Sequence, residues 1–223
     1  MLNNKEFYQW CKQLGLSREA CDLLMKVRNS EPARLTRGRG NSVIGQYPSQ
    51  KMGRTIQFES HRCELSFIHV MEHNSDVLEI WDQPAKLRLT YKANSGRKVT
   101  VEHTPDFLIC WNRYAEFVEC KTEEELIRLA KDSPGRFCKG ANGEWHCPPG
   151  EESTNPLGIR YTVHSSATIN PTYVRNIEFL DDYFRESAVE VSEEARQIIQ
   201  SIVKAQPGIT LAELLKKVLE VKS

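Results

Sequence analysis

The chain has 223 residues and carries 30 Lys and Arg against 30 Asp and Glu, a formal net charge of zero. Its length and its 39% hydrophobic content suit one medium α/β domain with a helical appendage. That balance excludes a uniformly basic nucleic-acid binder. No apolar run is long enough to cross a membrane and no signal-peptide pattern is present, so a cytoplasmic protein is expected. The 7 cysteines, an odd number partly in strand-like stretches, read as reduced thiols rather than a disulfide frame.

Residues 4–28 read as two helices. Phe7, Trp10, Cys11 and Leu14 form one apolar stripe; after the cap Ser17, Ala20, Leu23, Leu24 and Val27 form a second. They are read as core, with a docking element as the alternative. From Arg28 to Arg54 there are six basic residues, Arg28, Arg34, Arg37, Arg39, Lys51 and Arg54, against Glu31 alone. Gly38, Gly40, Asn41, Gly45 and Pro48 make this stretch loop-like. It is either an arm whose Arg34, Arg37, Arg39, Lys51 and Arg54 track phosphates or a solvated linker.

Residues 58–73 read as a helix capped by Ser60, with Leu65, Ile68 and Met71 on one face. Glu64 sits one position off that stripe, as a solvated flank or as a group aimed at a site beside a sheet. Residues 77–84 and 86–91 read as strands leading into a strand at Phe107–Trp111, and Phe117-Val118 marks another. Cys138, His146 and Cys147 flank a glycine-containing hairpin. Without a Cys-x-x-Cys pair they are read as an ordinary hairpin rather than a zinc site. Residues 171–185 read as an amphipathic helix burying Tyr173, Ile177, Leu180 and Phe184. Ser192 caps a helix through Ile198, Ile199 and Val203, Gln206-Pro207-Gly208 makes a turn, and Thr210 precedes a last helix. Helix, turn and helix suggest the opening of a helix-turn-helix or winged-helix domain. The expected divisions are 1–50, a helical segment and basic linker; 51–185, the core; and 186–223, the terminal helices.

The chemistry concentrates at Pro105-Asp106 and Glu119-Cys120-Lys121. Strand side chains alternate with period two, so Glu119 and Lys121 share a face. Asn112-Arg113-Tyr114 is short enough for a hairpin loop, which would bring Asp106 beside them. Two or three carboxylates can hold a hard divalent cation, and a lysine beside it can hold or polarise a water. Such a cation stabilises the charge that phosphodiester hydrolysis puts on the non-bridging, attacking and leaving oxygens. Burial and the cation can hold that lysine near a neutral pKa. Whether Lys121 acts as a base or as an electrostatic clamp is open. The bland alternative is a surface hairpin with an ion pair.

The order and residues resemble the PD-(D/E)XK nuclease superfamily and, more narrowly, the TnsA endonucleases of heteromeric cut-and-paste transposons. The resemblance rests on Phe58-Glu59-Ser60 with Glu64-Leu65, Val77-Leu78-Glu79 with Asp82-Gln83-Pro84, and Thr104-Pro105-Asp106-Phe107. It continues through Glu119-Cys120-Lys121-Thr122-Glu123, Tyr173-Val174-Arg175-Asn176 and Leu180-Asp181-Asp182-Tyr183. It implies an α/β, restriction-endonuclease-like mixed sheet flanked by helices. It implies Glu64, Asp106 and Glu119 as ligands of Mg2+, with Mn2+ able to substitute, and Lys121 as the motif lysine. Glu59 is the rival to Glu64. The implied activity is cleavage of the 5′, non-transferred strand at transposon ends in the nucleoid, with a TnsB-like transposase and a TnsC-like AAA+ ATPase. Gly45-Gln46-Tyr47-Pro48-Ser49 also resembles proteins in which a TnsA part is fused to TnsB, and the terminal helices resemble a truncated winged helix. A stand-alone restriction or repair nuclease and a non-catalytic transpososome assembly module are the alternatives.

Overall fold

The computed structural model describes residues 1–33, 44–185 and 191–221. They fall into two compact units, Met1–Glu178 and Phe179–Ser223. Arg34, Arg37 and Arg39 of the basic stretch lie outside the described residues.

In the first unit, helices α1 (Asn4–Gln13) and α2 (Arg18–Arg28) begin at side-chain caps. Asn3 Oδ1 accepts from Glu6 N–H at 3.0 Å, and Ser17 Oγ accepts from Ala20 N–H at 3.1 Å. The Glu6 carboxylate closes a capping box on the Asn3 N–H. Phe7, Trp10, Cys11, Ala20, Leu24 and Val27 are buried in the core shared with the sheet. Trp10 Nε1–H donates to the Trp111 carbonyl at 2.7 Å, which joins α1 to that sheet.

Strands β1 (Gly45–Ser49) and β2 (Arg54–Phe58) pair antiparallel, so the glycine- and proline-containing stretch expected as loop is partly strand. Pro48 is accommodated in this two-stranded ribbon, where one side of each strand needs no ladder partner. Gly45 faces Phe58 across the pair, and a Cβ there would stand 2.1 Å from the Phe58 ring.

Phe58 therefore ends a strand, and the helix expected from residue 58 starts later. Ser60 Oγ caps it as expected, accepting from Cys63 N–H at 3.2 Å. Its first turn, His61–Leu65, is π-helical, and α3 (Ser66–Glu72) continues it. Phe67 stacks on Phe107 at 5.3 Å between ring centroids, laying α3 on the sheet.

That sheet has the strand order β10-β7-β6-β3. Strands β3 (Val77–Asp82), β6 (Phe107–Trp111) and β7 (Ala115–Lys121) are antiparallel neighbours, and β10 (Arg160–Ser165) runs parallel to β7. A parallel partner needs a crossover, here supplied by residues 122–159. This is the mixed sheet flanked by helices that a restriction-endonuclease-like fold requires.

The second predicted strand does not join that sheet. β4 (Leu87–Lys92) pairs with β5 (Lys98–His103), a strand absent from the sequence reading, in a separate hairpin. Every second residue of β5 is exposed, so β5 lacks the apolar run that marks a core strand.

Thr122 caps α4 (Glu123–Asp132). The expected hairpin forms from β8 (Cys138–Lys139) and β9 (Trp145–His146), and α5 (Pro148–Thr154) follows. His146 Nδ1 lies 2.9 Å from Glu151 Oε1, and the Cys147 thiol is buried. All seven cysteines are free thiols.

Helix α6 (Pro171–Arg185) buries Val174 and Ile177 rather than its whole predicted stripe. Tyr173 is 46% and Leu180 43% exposed. The Phe184 side chain lies outside the described residues. In the second unit, Ser192 caps α7 (Glu193–Ala205), which meets α8 (Leu211–Val221) across a turn whose Gly208 has φ 91°. That left-handed conformation favours glycine. Among the described residues no helix is long and apolar enough to cross a membrane.

Candidate active site

The β6–β7 register sets Phe107 opposite Val118, which carries Asp106 to a place opposite Glu119. Cys120 N–H donates to Asp106 Oδ2 at 2.8 Å, extending the ladder by one side chain. The Asp106 carbonyl accepts from Gln83 N–H at 2.9 Å. Gln83 is a non-glycine residue with positive φ, 43°, and lies buried between β3 and Pro84. Backbone strain of this kind costs on the order of 1–3 kcal/mol and persists where the surroundings over-determine it. Here the strained turn anchors the residue that leads into β6.

Glu119 and Lys121 share a face of β7, as period two demands. Lys121 Nζ stands 2.7 Å from Glu119 Oε1 and 3.8 Å from Asp106 Oδ2. Glu64 reaches the same place from the π-helical turn and is 7% exposed, so it is no solvated flank. Its Oε2 accepts from Glu59 N–H at 2.8 Å. Glu59 thus supports Glu64 through its backbone. Cys63 Sγ lies 3.3 Å from the Lys121 carbonyl and sets that turn against the end of β7.

The electrostatics divide the three carboxylates. Burial, then the negative charge of Asp106, raises Glu64 to about 8. Burial, then Glu119, raises Asp106 to about 6. Burial also pushes on Glu119, but Lys121 and His103 outweigh it and hold the group at about 2. Burial acts to lower Lys121, yet Glu119 and Asp106 keep it charged and raise it above the ordinary lysine range. The site therefore carries more carboxylate than Lys121 balances.

This has a consequence for stability. Above the ordinary carboxylate range, the folded protein holds a proton on Asp106 up to about pH 6 and one on Glu64 up to about pH 8, both of which the unfolded chain has released. Where the folded state binds more protons, stability falls as pH rises. With chelator present, the melting temperature of wild type should fall more between about pH 5 and about pH 8.5 than that of Glu64→Gln. Equal falls in the two proteins would remove Glu64 as the cause.

The residues around Glu119 are not marked in the sequence. His103 Nε2 stands 2.7 Å and Tyr161 Oη 3.5 Å from Glu119 Oε2. His103 ends β5, and Tyr161 lies on β10 two positions from Val163, the parallel partner of Glu119. The one local signal was His103 at the close of an alternating run just before Thr104-Pro105-Asp106. Tyr161 had none, because its partner is set by a long crossover. A cleft of about 1010 Å³ opens beside them, lined by Tyr161, Val163, Ser165, Glu123, Trp145 and His146 among others. Glu123 closes part of its wall, accepting from Trp145 Nε1–H at 2.8 Å and from Lys139 at 3.0 Å.

Two of the predicted phosphate contacts have partners within the protein. Lys51 donates to the carbonyls of Asn74 and Val77, each at 2.7 Å, and burial lowers its pKa. Arg54 lies over the Trp81 ring at 5.0 Å.

Among the described residues, no group of three or more His, Cys, Asp or Glu side chains stands ready to hold a metal ion. Asp106 Oδ2 and Glu119 Oε2 are taken up by N–H donors, and Lys121 spans the two carboxylates. The donor chemistry nonetheless fits a hard divalent cation. Glu64, Asp106 and Glu119 are oxygen ligands, and burial, then the neighbouring carboxylate, raises the pKa values of the first two, a cost that a bound cation would offset.

Residues 74–177 match the family model described as TnsA-like endonuclease N terminal. Asp106, Glu119 and Lys121 fall inside the match, while Glu64 lies upstream of it and joins the cluster by geometry. No curated protein matches the chain.

Proposed function

We propose that this chain is a transposon-related, metal-dependent DNA endonuclease that cuts the 5′, non-transferred strand at transposon ends, a reading supported by the match of residues 74–177 to the TnsA-like endonuclease family model. The observation that carries this reading is the convergence of Asp106, Glu119 and Lys121 at the open end of a β6–β7 hairpin, with Glu64 brought in from a separate helix.

Glu64, Asp106 and Glu119 would hold Mg2+, or Mn2+ in its place. The cation would supply charge stabilisation for the scissile phosphate and lower the pKa of a bound water. Asp106 is fixed by the Cys120 N–H and Glu119 by its donors on Oε2, so both carboxylates are oriented by the fold rather than by the ligand. Lys121 remains charged between them. With the two carboxylates beside it Lys121 is held charged, which favours a clamp on the phosphate or the attacking water over a base.

The neutral overall charge favours recruitment by partners over strong free binding to DNA. A TnsB-like transposase would recognise the ends and process the 3′ strands, and a TnsC-like ATPase would regulate both.

The test is cleavage of 5′-labelled transposon-end DNA in Mg2+ with and without the transposase. Cleavage that needs the transposase supports the reading. Equal cleavage without it would identify a stand-alone nuclease, and no cleavage in any mixture would remove the enzyme.

A further inference from the structure

His103 takes part in two short contacts on opposite sides of its ring. Nε2 lies 2.7 Å from Glu119 Oε2, and Nδ1 lies 3.0 Å from Arg136 Nη2. A guanidinium has five donors and no acceptor. Nδ1 must therefore present its lone pair to Arg136, which leaves the ring proton on Nε2. His103 consequently donates to Glu119 and cannot accept from elsewhere. Tyr161 Oη, 3.1 Å from Nε2, donates toward the same carboxylate oxygen at 3.5 Å. Both donors converge on Oε2, and Oε1 is left facing Lys121 at 2.7 Å.

We propose that Arg136 and His103 form an orienting relay that fixes Glu119 through Oε2, so that Oε1, on the side of Lys121, is the oxygen that would be offered to a divalent cation. They are positioning residues. This rests on the metal-dependent reading given above and deepens it.

Neutralising a buried glutamate is already accomplished by Lys121. A second donor on a particular oxygen, itself oriented by a third residue, is more than neutralisation requires. Nor is Arg136 placed for its own benefit, since its Nε is buried without a hydrogen-bond partner. The fold also spends structure on the contact. The β4–β5 hairpin stands apart from the central sheet, and its last residue is His103. Asn94 in its turn donates to the Asp132 carbonyl at 2.9 Å. Gly135 packs so closely that a Cβ would lie 2.2 Å from the Lys92 carbonyl oxygen. These contacts hold the hairpin against the turn carrying Arg136. On the far side, a Cβ on Gly150 would stand 2.7 Å from the Tyr161 ring. Donors that hold a ligand from behind orient it, and losing one costs metal affinity about 10–100-fold.

The test is direct Mn2+ binding by the full chain without DNA, read from the loss of the free-ion electron paramagnetic resonance signal. Melting curves in chelator report the fold. Wild type is compared with His103→Phe, which keeps a ring and removes the donor, and with His103→Gln, which restores an N–H donor. Arg136→Met leaves His103 in place but frees Nδ1. The expected result is binding weakened about 10–100-fold in His103→Phe and Arg136→Met, with His103→Gln recovering most of it. Should His103→Phe fail to fold, Arg136→Met and His103→Gln carry the same comparison. Wild-type affinity in Arg136→Met and His103→Phe would overturn the relay while leaving the metal site standing. Absence of Mn2+ binding by wild type, with Asp106→Ala indistinguishable from it, would overturn the metal-dependent reading itself.

Discussion

Asp106→Ala should abolish cleavage at the transposon end while leaving a folded protein. A bound cation contributes several kcal/mol of transition-state charge stabilisation, so loss of a principal ligand corresponds to about 10³-fold or more in rate. Two opposing effects act on stability. The variant leaves the Cys120 N–H without its acceptor, which costs about 1–3 kcal/mol. It also removes the burial cost of the Asp106 carboxylate and its repulsion with Glu119 and Glu64. The net change in melting temperature should therefore be small, and Asp106→Asn, which keeps an acceptor oxygen, should be smaller still. Product formation from 5′-labelled ends in the presence of the transposase reads the activity, and circular dichroism reads the fold. Cutting at the wild-type rate by either folded variant would exclude Asp106 as a ligand.

The largest expected effect on stability lies at the other end of the sheet. Glu79 is fully buried and accepts four hydrogen bonds, from Leu2 N–H, Trp81 Nε1–H and two nitrogens of Arg28, at 2.9–3.0 Å. Arg28 also donates to the Leu2 carbonyl and lies 4.5 Å from the Phe7 ring centroid. The pair thus ties α1 and α2 to β3. Arg28→Met would strand a carboxylate in the core, and removing one partner of such a pair costs about 3–5 kcal/mol. Adding Glu79→Gln should recover part of that loss, because the stranded charge goes with it. Urea unfolding measures both. A loss below about 1 kcal/mol for Arg28→Met would mean that the pair does not hold the helices.

The parts of the site set by local chain geometry were legible in the sequence. Asp106 and Glu119 meet because Asn112-Arg113-Tyr114 is a short turn between apolar runs, and Lys121 follows Glu119 by period two. Ser17 and Ser60 announce their helices through side-chain caps that act within three residues. Membership of the central sheet was not legible, since it depends on partners far along the chain. β4 reads as a strand in either sheet, and only its pairing with β5 decides which. β10 joins β7 after a long crossover, so Tyr161 could not be linked to Glu119. His103 resembles any polar residue at a strand end until its two neighbours are known. The exposure of Tyr173 beside buried Val174 is likewise not encoded in an apolar stripe.

The three-residue turn between β6 and β7 has a kinetic meaning as well. Contacts close in sequence form before distant ones because less loop entropy is lost. Asp106, Glu119 and Lys121 are thus brought together by the cheapest closure in the sheet, whereas Tyr161 arrives with the last strand to dock. Truncations within β6–β7, such as Leu108→Ala, should slow folding, and those in β10, such as Val163→Ala, should mainly speed unfolding. Stopped-flow rates that put the larger folding defect in β10 would reverse the order. Assembly in this sequence would pair the two acids and the lysine early in folding, while Tyr161, the partner of Glu119 that lies on β10, comes only with completion of the central sheet.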